Sequence, residues 1–200
     1  MTASLPASVG ATRGLPGTPF GPHRPLAPVT PRPLPQVRPA AQPEGLLQVH
    51  TAPYRGSFGS VLSQALRTAG LGSRVLVSQF LKGGVEQGPE ASIWLCGRLQ
   101  WLRPAVAACL DRPAAEAPAA ARAVADLWSF SREQLLSGAV DLMVLDELGL
   151  AVELGYLSAE DVVASLERRP SQLDVILTGP AMPAALMAMA DQVTELRRGL

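Results

Sequence analysis

Histidine, cysteine, lysine and aromatic side chains are all scarce in this chain, and each scarcity removes a class of function. Two cysteines, Cys96 and Cys109, cannot form a disulfide framework, and with only His23 and His50 beside them a Cys/His zinc site is hard to assemble. A reducing, cytoplasmic setting is therefore the default expectation. The one lysine, Lys82, stands against 16 arginines. Long apolar runs are missing too: Leu142 to Leu145 lies between Asp141 and Asp146, far short of the roughly 20 residues a membrane helix needs. Acidic residues are absent from the first 43 of the 200 positions, which hold 11 of the 19 prolines and four arginines. Residues 44–200 carry all 17 acids against 13 bases, so a mildly acidic domain follows a basic segment. That domain offers no basic face for nucleic acid.

The basic segment cannot bury enough apolar surface to offset its ordering entropy, and Pro31, Pro33 and Pro35 favour extended polyproline II. Residues 1–44 are therefore predicted to be a Pro-rich disordered tail, with residues 45–200 forming one domain. The lack of acids also suits a targeting peptide, although the prolines oppose the amphipathic helix such peptides form.

From Gly45 onward, strand and helix signals alternate. Leu46 to His50 reads as a short buried strand, and Val61, Leu62, Ala65, Leu66 and Ala69 recur at helical spacing before Gly70. Arg74 to Phe80 is a second strand, and Gly84 to Trp101 is ambiguous. Pro113 to Leu136 reads as a long helix and Val140 to Asp146 as a buried strand ending in the acidic pair Asp146-Glu147. Ser158 and Asp161 match the Ser-x-x-acid start of a helix over Ser158 to Arg168. Leu173 to Thr178 is a strand, Pro183 to Met189 a helix, and Val193 to Leu196 an edge strand; Met182, just before that helix, and Met187 and Met189 within it are most simply core packing. Strands separated by helices predict an α/β fold with a mostly parallel sheet and helices on both faces.

In such sheets ligands sit at the carboxyl ends of the strands. The loop after the first strand, Thr51 to Gly59, is the place for a phosphate-binding glycine loop, which needs glycines, a lysine and a Ser/Thr hydroxyl. It holds Gly56 and Gly59 but no lysine. Asp146-Glu147 could hold Mg²⁺ beside such a loop, or could be acids on the positive end of a helix dipole. His50 ends a strand, where a satisfied polar residue is commoner than a base, and Cys96 and Cys109 read as buried apolar cysteines.

Four segments together carry a family resemblance. They are Ala65 to Gly72, Val77 to Gly83, Asp141 to Leu148 running into Gly155 to Ser158, and Leu166 to Arg197 with its Val175-Ile-Leu-Thr-Gly179 and Thr194-Glu-Leu-Arg197. The chain from Leu47 to Arg197 resembles the ATP:corrinoid adenosyltransferases, P-loop enzymes that move the 5′-deoxyadenosyl group of ATP onto the cobalt of a reduced corrinoid. The resemblance implies a P-loop NTPase-like three-layer sandwich, ATP and Mg²⁺ as cofactors and a corrinoid as substrate or ligand, with a homodimer among its implications. It assigns the nucleotide to Arg55, Gly56, Ser57 and Lys82, and the metal to Asp146 or Glu147. Trp101 either faces the corrinoid or is an ordinary core or surface aromatic.

The family's first loop reads Gly-x-Gly-Lys-Gly-Lys-Thr-Thr, and ungapped placement puts it on Ala52 to Gly59. Only Gly56 is kept, Arg55 replaces the first lysine, Ser57 the second, and Phe58 the magnesium-binding threonine. Pro180 stands where the family usually has arginine. Two functions of different class follow: an adenosyltransferase using Arg55 and Lys82 as its cations, or a non-catalytic binding or regulatory protein on the same scaffold.

Overall fold

The computed structural model of the chain describes residues 44–56 and 58–197. The expectations for the tail and for Ser57 lie outside the described residues.

Seven strands form one sheet. They are β1 (Leu47–Thr51), β2 (Val75–Gln79), β3 (Ile93–Leu95), β4 (Leu99–Leu102), β5 (Leu142–Asp146), β6 (Asp174–Thr178) and β7 (Gln192–Glu195), in the order β3-β4-β2-β5-β6-β1-β7. All neighbours pair in parallel except β3 on β4. The antiparallel hairpin occupies the stretch that periodicity left ambiguous. Its turn is made by Cys96 (φ 54°) and Gly97 (φ 64°), a pair of left-handed residues whose twist matches that of the flanking strands.

Side chains alternate between two cores, as the period of two in a strand requires. Leu76, Met143, Leu145, Val175 and Leu177 point to one face, where they meet Val124, Leu127 and Leu135 of α2 (Pro118–Ser137) and Val162 and Leu166 of α4 (Ala159–Glu167). Leu148 of α3 (Leu148–Glu153) and Leu186 of α5 (Ala184–Met189) complete that core. Val75, Val77, Leu142, Val144 and Ile176 point the other way, onto Val61, Ala65 and Ala69 of α1 (Gly59–Gly70). Central strands β2 and β5 are buried throughout, which is why they read as continuous apolar runs. Helices therefore cover both faces, as the alternation of elements predicts.

Local chemistry sets the boundaries. The Ser158 hydroxyl accepts the Asp161 N–H at 3.3 Å and starts α4 where the capping pattern predicts. Gly138, at φ 63°, ends α2 in the left-handed conformation. The predicted helix over 113–136 begins later, with Pro118 in its first turn, because a separate short 3₁₀ turn occupies Ala114–Glu116. Helix α3 carries no periodic signal long enough to read. Among the described residues, no helix is long and apolar enough to cross a membrane.

Two side-chain expectations are corrected. Cys96 and Cys109 are exposed rather than buried, since one sits in the hairpin turn and the other in the loop after β4. His50 is not a satisfied polar residue: its Nε2 is buried without a hydrogen-bond partner, and burial lowers its pKa. Met182, Met187 and Met189 do pack against the core, each partly buried.

Candidate functional site

Each parallel strand delivers its last residue to the same edge of the sheet, and three of those residues are polar although the strands behind them are apolar. Gln79 ends β2, Asp146 ends β5 and Thr178 ends β6; all three are buried, with Asp146 only 2% exposed. A buried carboxylate must collect donors, and Asp146 does so. Its Oδ1 accepts the Thr178 hydroxyl at 2.5 Å, and its Oδ2 accepts Gln79 Nε2 at 2.7 Å and Lys82 Nζ at 2.8 Å.

Glu147 leaves the strand in the left-handed region (φ 59°), unusual for a residue with a side chain. The turn is supported by its backbone N–H, which donates to Thr178 Oγ1 at 3.4 Å. It also depends on Gly179 (φ 123°), where a Cβ would come within 2.9 Å of the Glu147 Cα. So placed, the Glu147 carboxylate is 1% exposed and faces the loop after β1.

From that loop, Arg55 reaches it with a forked ion pair: Nε to Oε1 at 2.7 Å and Nη2 to Oε2 at 3.0 Å. The same guanidinium donates from Nη1 to the Leu110 carbonyl at 2.8 Å and from Nη2 to the Leu81 carbonyl at 3.1 Å. One side chain thus ties together the loops after β1, β2 and β4 and the end of β5. The hydrogen bond to Glu147 raises the Arg55 pKa further, against the opposing effect of burial.

A second branch runs outward from Gln79. Its Oε1 accepts Trp101 Nε1 and Arg103 Nε, both at 2.8 Å, while the Arg103 guanidinium carbon lies 5.7 Å from the Trp101 ring centroid. These bonds also determine which end of the Gln79 amide is oxygen.

Of the residues singled out in the sequence, Arg55, Lys82, Asp146 and Glu147 come together, and Trp101 joins them through Gln79. Gly56 lies next to the Tyr54 ring. Phe58 is 4% exposed in the core beneath α1, where it packs with Val61. Arg197, matched by sequence, pairs with Glu195 at 2.9 Å at the far edge of the sheet and stays outside. Gln79, Thr178 and Arg103 were not among the candidate site residues. The signal for the first two was a polar residue closing an otherwise apolar strand.

In this arrangement the two acids are engaged by side-chain donors of the protein itself. Every carboxylate oxygen of Asp146 and Glu147 already accepts a side-chain donor, and each acid is held by a basic side chain. Among the described residues, no group of three or more His, Cys, Asp or Glu side chains could hold a metal.

The family model for "ATP:corrinoid adenosyltransferase BtuR/CobO/CobP" matches residues 43–199. This chain belongs to that family. Within the corrinoid adenosyltransferase family, it is 31% identical over 162 residues to the corrinoid adenosyltransferase of Escherichia coli K12, covering 81% of each chain. It is 31% identical over 167 residues to that of Pseudomonas aeruginosa, covering 78% of this chain and 77% of the other. The Salmonella typhimurium corrinoid adenosyltransferase CobA is 30% identical over 162 residues, again with 81% of each chain covered. In this corrinoid adenosyltransferase family member the acidic pair Asp146-Glu147 closes β5, and the first loop carries Arg55 and Phe58.

Proposed function

We propose that this family member no longer performs ATP-dependent adenosyl transfer and works as a non-catalytic binding or regulatory protein on the corrinoid adenosyltransferase scaffold. The observation that carries this reading is the Arg55–Glu147 pair. A triphosphate with its metal needs free cations, a nest of backbone N–H groups and a carboxylate with open lone pairs. Here the Arg55 guanidinium spends its hydrogen bonds on Glu147, Leu81 and Leu110, and Lys82 is bound to Asp146. Pro53 brings no N–H to the loop, and the Phe58 ring is core. The corrinoid remains the family ligand to test, with Trp101 as the side chain to watch.

A second reading is favoured by one observation: the acidic pair, Gln79 and Lys82 still converge at the carboxyl edge of the sheet. In it the protein is an active adenosyltransferase. Arg55 and Lys82 then let go of the acids to hold phosphate, and Asp146 or Glu147 holds Mg²⁺.

Thermal unfolding with MgATP, with and without a corrinoid, separates the two. A ligand at a hundred times its Kd stabilises a fold by about 2.7 kcal/mol. The proposal expects no change in midpoint with MgATP alone. A saturable, Mg²⁺-dependent rise in the unmodified chain would overturn it and bring the enzyme reading forward.

A further inference from the structure

The amino edge of the sheet, opposite the Asp146 cluster, carries a cavity of about 420 Å³ lined by Arg74, Trp94, Arg98, Gln100 and Gln134 together with small and apolar residues. Strand pairing explains why they converge. Gln100 of β4 lies beside Leu76 of β2 and opposite Trp94 of β3, so these three side chains share the face of the sheet that α2 covers. Gln134 stands in the last turn of α2, Arg74 directly precedes β2, and Arg98 directly precedes β4 in the hairpin turn. The four residue steps of β2 from Val75 to Gln79, about 13 Å, separate this cavity from the acidic pair.

The polar groups here are only partly used. Arg74 is committed to Asp141: Nη2 donates to Oδ1 at 2.9 Å, and the Arg74 backbone N–H donates to Oδ2 at 2.7 Å. Asp141 is thereby satisfied. Among the described residues the Arg98 guanidinium makes no hydrogen bond and no ion pair, although its charge adds to the lowering of the Asp141 pKa that the Arg74 hydrogen bonds begin. Two cations against one acid leave one positive charge in excess, which the partial negative charge at the carboxyl end of α2, about half a unit, does not cancel. Trp94 is 59% exposed, so its ring is open to the cavity. Gln100 donates from Nε2 to Ser92 Oγ at 2.9 Å and keeps Oε1 open, while Gln134 uses neither end of its amide among the described residues.

We propose that this cavity binds an aromatic carboxylate, its anionic group on Arg98, its ring on Trp94, and polar atoms of its ring edge on the Gln100 and Gln134 amides. A carboxylate meets the guanidinium as a fork and cancels the excess charge. An inorganic anion would leave the Trp94 ring uncovered, and a neutral aromatic would leave Arg98 unpaired. An aromatic acid uses both, in a concave site with a few convergent polar groups on an apolar lining.

Titration calorimetry of the full chain tests this with indole-3-carboxylate, its neutral analogue indole-3-carboxamide and the non-aromatic cyclohexanecarboxylate. Saturable binding of the indole acid is expected, at least about tenfold tighter than either control and weakened by salt. Trp94 and Arg98 are both exposed, so their variants should fold with an unchanged far-UV spectrum. Arg98→Gln and Trp94→Ala should each weaken binding about tenfold, and Arg98→Lys should recover part of the first loss. MgATP should not displace the indole acid, because the nucleotide's family site is at the other edge. No binding, equal binding of either control, or a folded Arg98→Gln or Trp94→Ala variant that binds like the unmodified chain would overturn the site. Competition by MgATP would move the ligand to the carboxyl edge and overturn it as well.

Discussion

Removing the Arg55 side chain is the most informative perturbation, because the arrangement makes its cost both large and lopsided. Arg55→Ala deletes two charge-assisted contacts to a carboxylate that is 1% exposed, together with the bonds to the Leu81 and Leu110 carbonyls. Deleting one partner of a buried ion pair costs about 3–5 kcal/mol. The Arg55 side chain is itself 32% exposed, so water would reach Glu147 once it is gone, and about 2–3 kcal/mol is the better expectation. In a domain of this size that lowers Tm by roughly 5–10 °C.

The reciprocal change should be milder. Glu147→Gln leaves Arg55 facing solvent with its two carbonyl acceptors, at a cost of about 1 kcal/mol. Arg55→Lys keeps the charge but loses the fork, and about 1–2 kcal/mol is expected. Urea unfolding followed by circular dichroism, with the double variant closing a thermodynamic cycle, gives a coupling energy above about 1 kcal/mol if the pair holds the loops together. A loss within about 0.5 kcal/mol for Arg55→Ala, or a coupling near zero, would refute the view of Arg55 as the cation that closes this site.

Two further outcomes follow from the same structure. Gly179→Ala forces a side chain into φ 123° with its Cβ 2.9 Å from backbone at Glu147, so a stability loss of about 2–4 kcal/mol is expected by urea unfolding; a neutral result would mean the ends of β5 and β6 can separate. His50, whose pKa is lowered by burial, favours the folded state above its unfolded pKa of about 6.5, and that contribution is lost as pH falls toward the lower folded value. The Tm of the chain should therefore drop more between pH 7.5 and 5.5 than that of His50→Gln, and parallel profiles would count against it.

Most of the scaffold is legible in local sequence patterns. Strands β1, β2, β5, β6 and β7 and helices α1, α4 and α5 are legible because each is a local pattern: apolar runs of strand length, helical spacing, a Ser158 cap. The family is legible from four such segments in order. Even the edge of the sheet where ligands would sit follows from parallel strands, since their carboxyl ends must lie together.

Side-chain directions and partners depend on long-range packing. No local signal tells that Gly84 to Trp101 holds an antiparallel hairpin, that Cys96 turns outward in it, or that His50 keeps a buried nitrogen unpartnered. Arg55 reads in sequence as a substitute for a phosphate-binding lysine. Its acceptors lie 26, 55 and 92 residues away, at Leu81, Leu110 and Glu147, and only the folded chain brings them within reach. A side chain's charge is a property of its residue type, whereas the groups that neutralise it are chosen by packing. That Arg55 pairs with Glu147 is therefore a contact that composition and spacing could not show and only the fold reveals.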